Sequence, residues 1–172
     1  MGRIVDQRQL VEELEHVRGD GKQIVLTNGC FDLLHVGHIR SLTAARALGD
    51  CLVVGVNADS SVRQIKGPDR PLVPEDERAE VLAALVPVDY VVIFREPTAE
   101  RLVSLVRPHV YAKGADYAAA RSEDGPPPID ETRLPEATVV RRHGGQVALI
   151  PLAPGRSTTD LVRRIRTGAE PA

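Results

Sequence analysis

Tryptophan is absent from this 172-residue chain and aromatic residues make up only 3% of it, so any core must be packed with Val, Leu, Ile and Ala. Cysteine is scarce too. The two present, Cys30 and Cys51, lie in or beside apolar runs without CxxC spacing, which excludes a disulfide framework and reads as two small hydrophobes in a reducing compartment, the cytoplasm. No apolar run approaches the roughly 20 residues of a membrane span, and Met1 to Leu10 offer no apolar segment suited to export. Charge of one sign is also missing: 22 Lys and Arg stand against 24 Asp and Glu, a net charge of −2. Without a basic field there is nothing to hold a polynucleotide backbone. The expected partners therefore include neither nucleic acid nor membrane.

What is present is a globular composition, 42% hydrophobic and 27% charged, at a length close to that of one domain. A single domain over residues 1–172 is expected. Residues 6–18 read as an amphipathic lead-in helix, because Leu10, Val11, Leu14 and Val17 recur at helical spacing and Asp6 with Gln9 forms a capping-box pattern. Five short apolar runs follow, at 23–28, 51–57, 90–94, 109–112 and 146–150. Helical patterns separate them, at 37–48, from Pro74 through three early acids to about Leu85, at 98–106 and at 136–143. Continuous hydrophobicity marks strands buried on both faces. Their alternation with helices predicts a doubly wound, Rossmann-like α/β fold, a five-stranded parallel sheet with helices on both faces. A last helix, capped by Ser157 with Asp160 three residues on, is expected to turn Leu161, Val162 and Ile165 to the core. Residues 66–74 and 118–133 read as loops, the second rich in proline, and 168–172 as a frayed tail.

In such a sheet, ligands bind beyond the carboxyl ends of the strands. The turn after the first apolar run reads GCFDLLHVGH, residues 29–38. Gly29 would let the chain turn sharply, and Gly37 would open the helix without a side chain to block a ligand at its N-terminus. His35 and His38 flank that helix start, where two imidazoles, exposed N–H groups and the helix dipole together suit a phosphate. Ordinary surface or core histidines are one alternative and a transition-metal pair another. No Cys, Asp or Glu with ligand spacing completes a metal site, so no protein-held metal is expected.

Residues 29–38 resemble the signature of the HxGH nucleotidyltransferase (cytidylyltransferase-like) superfamily. Four further regions, VGVNADSSV at 54–62, KGPDRPLVPEDERAEVLAAL at 66–85, VYAKGADY at 110–117, and LPEA with GRSTTDLVRRI at 134–137 and 155–165, are most similar to D-glycero-β-D-manno-heptose 1-phosphate adenylyltransferases. The resemblance implies in-line attack by a sugar-phosphate oxygen on the α-phosphorus of ATP, giving ADP-heptose for lipopolysaccharide and releasing pyrophosphate. Mg²⁺ would arrive with ATP, and a homodimer is implied. His35, His38 and Lys66 form the implied catalytic set, with His38 a protonated donor rather than a base and Lys66 closing over phosphates from a mobile loop. Gly29, Cys30, Phe31, Lys113, Arg156, Ser157 and Thr158 would complete the nucleotide site. Asp32, Asn57, Asp59, Arg78, Asp116 and Glu136, with Lys66, would meet the acceptor.

Plainer readings stand beside these. Ser157 serves equally as a helix cap, Arg78 as a helix-surface ion pair, Lys66 and Lys113 as solvated lysines, and the strand-end carboxylates and amide as turn formers. The run Arg163-Arg164 with Arg166 reads as a solvated face. Residues 118–133 depart from the heptose pattern, which has only a short spacer there, and since this sequence carries no sugar-kinase motif of the kind often fused upstream, a standalone transferase is expected. The rival readings are a cytidylyltransferase acting on glycerol 3-phosphate or a related alcohol phosphate, and a catalytically silent nucleotide-binding module.

Overall fold

In a computed structural model, residues 1–118, 129–151 and 157–168 are described. The elements run β1 (Arg3–Ile4), α1 (Gln7–Gly19), β2 (Ile24–Gly29), α2 (Val36–Arg46), β3 (Cys51–Asn57), α3 (Asp59–Lys66), α4 (Glu75–Ala83) and β4 (Tyr90–Phe94). Then come α5 (Glu100–Val106), β5 (Val110–Gly114), a 3₁₀ turn (Ala115–Tyr117), α6 (Glu136–Arg142), β6 (Gln146–Ile150) and α7 (Thr158–Thr167). All strand pairs are parallel and the order is β1-β4-β3-β2-β5-β6. From β2 the chain builds outward through β3 and β4, then crosses back to β5. The direction of winding therefore reverses between β2 and β5, where Leu26 lies in register with both Val53 and Tyr111. A crevice opens at such a reversal because successive helices leave on opposite faces.

Two aliphatic layers enclose the sheet. On one face Leu10 and Leu14 of α1, Leu102 and Val106 of α5 and Ala137 and Val140 of α6 pack on Leu26, Val53 and Tyr111. On the other, Leu42 and Ala45 of α2 and Ala79, Leu82 and Ala83 of α4 pack on Val25, Val54 and Val110. Helix α1 begins at the expected capping box: Gln9 N–H donates to Asp6 Oδ1 and Asp6 N–H to Gln9 Oε1.

Three expectations need correction. The sheet has six strands rather than five, because the two-residue β1 pairs with β4 at the edge. Residues 59–66 form a helix, so Lys66 ends α3 rather than sitting on the following loop. Helix α7 buries no residue and Ile165 is 73% exposed, so its apolar side does not reach the core. The expected loop 118–133 is described only at its ends, where Ala118 and Ile129 form an antiparallel bridge and Asp130 N–H donates to Tyr117 O.

Candidate active site

A cleft of about 590 Å³ opens at the reversal point. Its floor is the carboxyl ends of the strands, with Asn28 and Gly29 of β2, Asn57 of β3 and Lys113 and Gly114 of β5. On the face covered by α2 stand His35, His38 and Ser41, with Lys66 from α3 and Ser157 and Thr158 at the start of α7. On the face covered by α5 and α6 stand Thr98, Asp116, Tyr117, Arg133 and Glu136.

The turn between β2 and α2 owes its shape to a residue other than the one the sequence suggested. Phe31, not Gly29, takes the left-handed conformation, with φ of 48°, at a cost of about 1–2 kcal/mol for an L-residue. This brings its ring 5.5 Å from that of His38 and back over Gly29, where a Cβ would lie 3.3 Å from the ring. A side chain at Gly29 would crowd this ring, so Gly29 serves close approach rather than turning.

His35 is the N-cap residue of α2. Its ring stacks on that of His38 with centroids 3.9 Å apart, and its backbone N–H donates to His38 Nδ1 at 3.3 Å. Burial, followed by the neighbouring His35, lowers the His38 pKa from 6.5 to about 4. In the ligand-free cleft His38 is thus neutral near pH 7, whereas the expected imidazolium is one favoured by the charge of an adjacent phosphate. Because Nδ1 accepts, the single proton resides on Nε2, so the neutral ring is still a donor. Nearby, Thr158 Oγ1 donates to Leu33 O at 3.3 Å. The Ser157 hydroxyl accepts from Asp160 N–H at 3.0 Å, the expected cap.

The floor is held by Asn28, which sequence reasoning passed over. Its Oδ1 accepts from the Tyr111 hydroxyl at 2.6 Å and from Lys113 Nζ at 3.2 Å. Burial lowers the Lys113 pKa and pushes that of Tyr111 well up. Glu136 is buried and accepts from Ala99 N–H at 2.7 Å, which fastens the start of α6 to that of α5. Cys30 lines the cleft half-buried, and burial raises its thiol pKa.

Three residues expected to meet the acceptor are tied into the scaffold, and of these only Asp32 also lines the cleft. Arg78 is fully buried, with Nε donating to Val73 O, Nη1 to Cys30 O and Nη2 to Asn57 O and Asp59 Oδ1. Its charge ties together the turns after β2 and β3 and the loop before α4, and it does not line the cleft. Asp59 is its ion-pair partner at 2.7 Å and does not line the cleft either. Asp32 reaches the cleft wall, but its carboxylate is 1% exposed and accepts from Arg70 Nε at 2.6 Å, Leu72 N–H at 2.8 Å and Val73 N–H at 3.0 Å. It pins the 67–74 loop.

Gly29, Cys30, Phe31, His35, His38, Asn57, Lys66, Lys113, Asp116, Glu136, Ser157 and Thr158 do line the cleft. Arg156 lies outside the described residues. Sequence reasoning missed Asn28, Ser41, Thr98, Tyr117 and Arg133. Asn28 could have been found because it stands where a strand run ends, and Thr98 because it opens the helical pattern after the 90–94 run. Among the described residues no group of three or more His, Cys, Asp or Glu side chains could hold a metal ion, and no helix is long and apolar enough to cross a membrane.

Known proteins resemble this chain in sequence and in fold. The chain is 47% identical over 163 residues to the bifunctional protein HldE of Syntrophotalea carbinolica, covering 92% of this chain and 30% of that protein. It is 49% identical over 149 residues to the protein of the same name from Geotalea uraniireducens, covering 87% and 28%. The chain thus spans less than a third of the length of these relatives. A solved lipopolysaccharide core biosynthesis protein from Thermoplasma volcanium superposes with a TM-score of 0.58 at 28% identity, over 77% of this chain and 98% of that one. Residues 26–164 match the cytidylyltransferase-like family model, and with the histidine pair and the switch-point cleft already in place, the chain belongs to that family.

Proposed function

We propose that the chain is a nucleotidyltransferase that moves AMP from ATP to a sugar 1-phosphate, D-glycero-β-D-manno-heptose 1-phosphate, yielding ADP-heptose and pyrophosphate. The observation that carries this reading is the stacked His35–His38 pair at the start of α2, beside the start of α7, at the reversal point of the sheet. Similarity to HldE and to a lipopolysaccharide core biosynthesis protein supports the sugar-nucleotide product.

The chemistry asks for positioning and fixed donors. An oxygen of the acceptor phosphate forms a bond to the α-phosphorus of ATP as the bond to the bridging oxygen of pyrophosphate breaks, and charge spreads over the equatorial oxygens and the leaving group. The His38 Nε2–H supplies a donor to the α-phosphoryl oxygens without taking up a proton. The N–H groups opening α2 and α7 face the polyphosphate with the favourable end of each helix dipole, and Lys66, at the end of α3, adds a positive charge. Lys113, held by Asn28, serves the point where the two substrates meet. Mg²⁺ enters as part of the nucleotide substrate, keeping most of its ligands as water and phosphate oxygen.

Pyrophosphate release over a matrix of nucleotides and acceptors tests the reading. ATP with heptose 1-phosphate is the expected productive pair. CTP with glycerol 3-phosphate as the only productive pair would replace it with the cytidylyltransferase reading that the family name favours.

A further inference from the structure

The α5–α6 side of the cleft carries a cation that no sequence motif marked. The Arg133 guanidinium carbon lies 5.5 Å from the Tyr117 ring centre, and Nη1 donates to Asp116 O at 2.6 Å. Tyr117 is itself packed on the core, and Lys113 Nζ lies 4.9 Å from the same ring. The side chain is therefore oriented by a fixed platform and by a backbone carbonyl. A guanidinium has five N–H donors in a planar fork. Among the described residues none of the Arg133 donors meets a carboxylate within 4 Å, whereas Arg70 and Arg78 both spend their charge on one. Arg133 lines the cleft with no carboxylate contact among the described residues, although the nearby Asp130 carboxylate feels its charge.

Its neighbours indicate which substrate it serves. Asp116 and Glu136 stand on the same side; carboxylates repel a triphosphate but accept hydrogen bonds from sugar hydroxyls. The donors suited to a triphosphate, His35, His38 and the start of α7, stand on the other side. A planar fork presented beside hydroxyl acceptors fits a monophosphate attached to a polyol. Resting on the nucleotidyl-transfer reading, we propose that Arg133, set by Tyr117 and the Asp116 carbonyl, grips the phosphate of the acceptor and makes the enzyme require a phosphorylated sugar.

The test titrates D-glycero-β-D-manno-heptose 1-phosphate calorimetrically into protein saturated with α,β-methylene-ATP, which cannot release pyrophosphate. R133Q should weaken sugar-phosphate binding by about tenfold to a hundredfold while the affinity for the ATP analogue stays within about twofold. R133K, a point charge without the fork, should fall between. In turnover, the KM for the sugar phosphate should rise with kcat nearly unchanged. The unphosphorylated heptose should bind wild type and R133Q equally. Unchanged sugar-phosphate affinity in R133Q, or an equal loss of analogue affinity, overturns the proposal while leaving the transferase reading intact. If wild type instead uses glycerol 3-phosphate, that acceptor is put through the same comparison. A wild-type chain that binds no acceptor phosphate overturns both.

Discussion

The His35 backbone N–H donates to His38 Nδ1 while the two rings stack 3.9 Å apart. Backbone geometry, not pH, therefore dictates which nitrogen of His38 bears the proton. His38→Ala should lower turnover by about 10²- to 10³-fold, the loss typical of one transition-state donor. Steady-state pyrophosphate release checks this, with circular dichroism to confirm folding; turnover near that of wild type would remove His38 from catalysis.

The same residue makes stability depend on pH. The folded-state pKa of His38 is depressed to about 4 from 6.5, so between those values the unfolded chain binds a proton that the folded chain refuses. Stability is unaffected by this group above pH 6.5, falls as pH drops through the window, and levels off below 4. After allowance for partial exposure, the loss is on the order of 1–2 kcal/mol. Urea unfolding of the ligand-free protein at pH 7 and pH 4.5 should show a smaller difference in His38→Asn than in wild type. Equal differences would rule out the depressed pKa.

Arg78 bonds three carbonyls and one carboxylate from full burial. Arg78→Met should cost about 3–5 kcal/mol, because the carbonyls and Asp59 lose their shared partner. Chemical denaturation measures it. Had Arg78 been a surface substrate contact, stability would hold and only the acceptor KM would change.

Asn28 joins Tyr111 to Lys113 at the cleft floor. Asn28→Ala strands the buried Tyr111 hydroxyl, at about 1–3 kcal/mol, and frees Lys113. Tyr111→Phe removes the hydroxyl instead, so the double variant should be more stable than Asn28→Ala alone. A simple sum of the two single costs would show that the residues are not coupled.

The strands 51–57 and 146–150 and the Asp6–Gln9 capping box were legible because each is written in a few adjacent residues. β1 was not, since Arg3 and Ile4 are exposed and form no apolar run. α3 was hidden because Ala58 gives no side-chain cap; the acceptor for Asp59 N–H is Glu75 Oε2, at 2.6 Å. The histidine turn was readable as a local motif. The roles of Asp32 and Arg78 were not, as their partners Arg70 and Cys30 lie 38 and 48 positions away. Arg133 reaches the cleft only because the chain returns beside Tyr117.

That return has an evolutionary reading. Ala118 and Ile129 are paired and Asp130 is bonded back to Tyr117, so the chain leaves and re-enters the fold through one closed neck. The neck is tied through the main chain, so side-chain changes at positions 118 and 129 can accumulate while Tyr117 and Asp130 stay side by side.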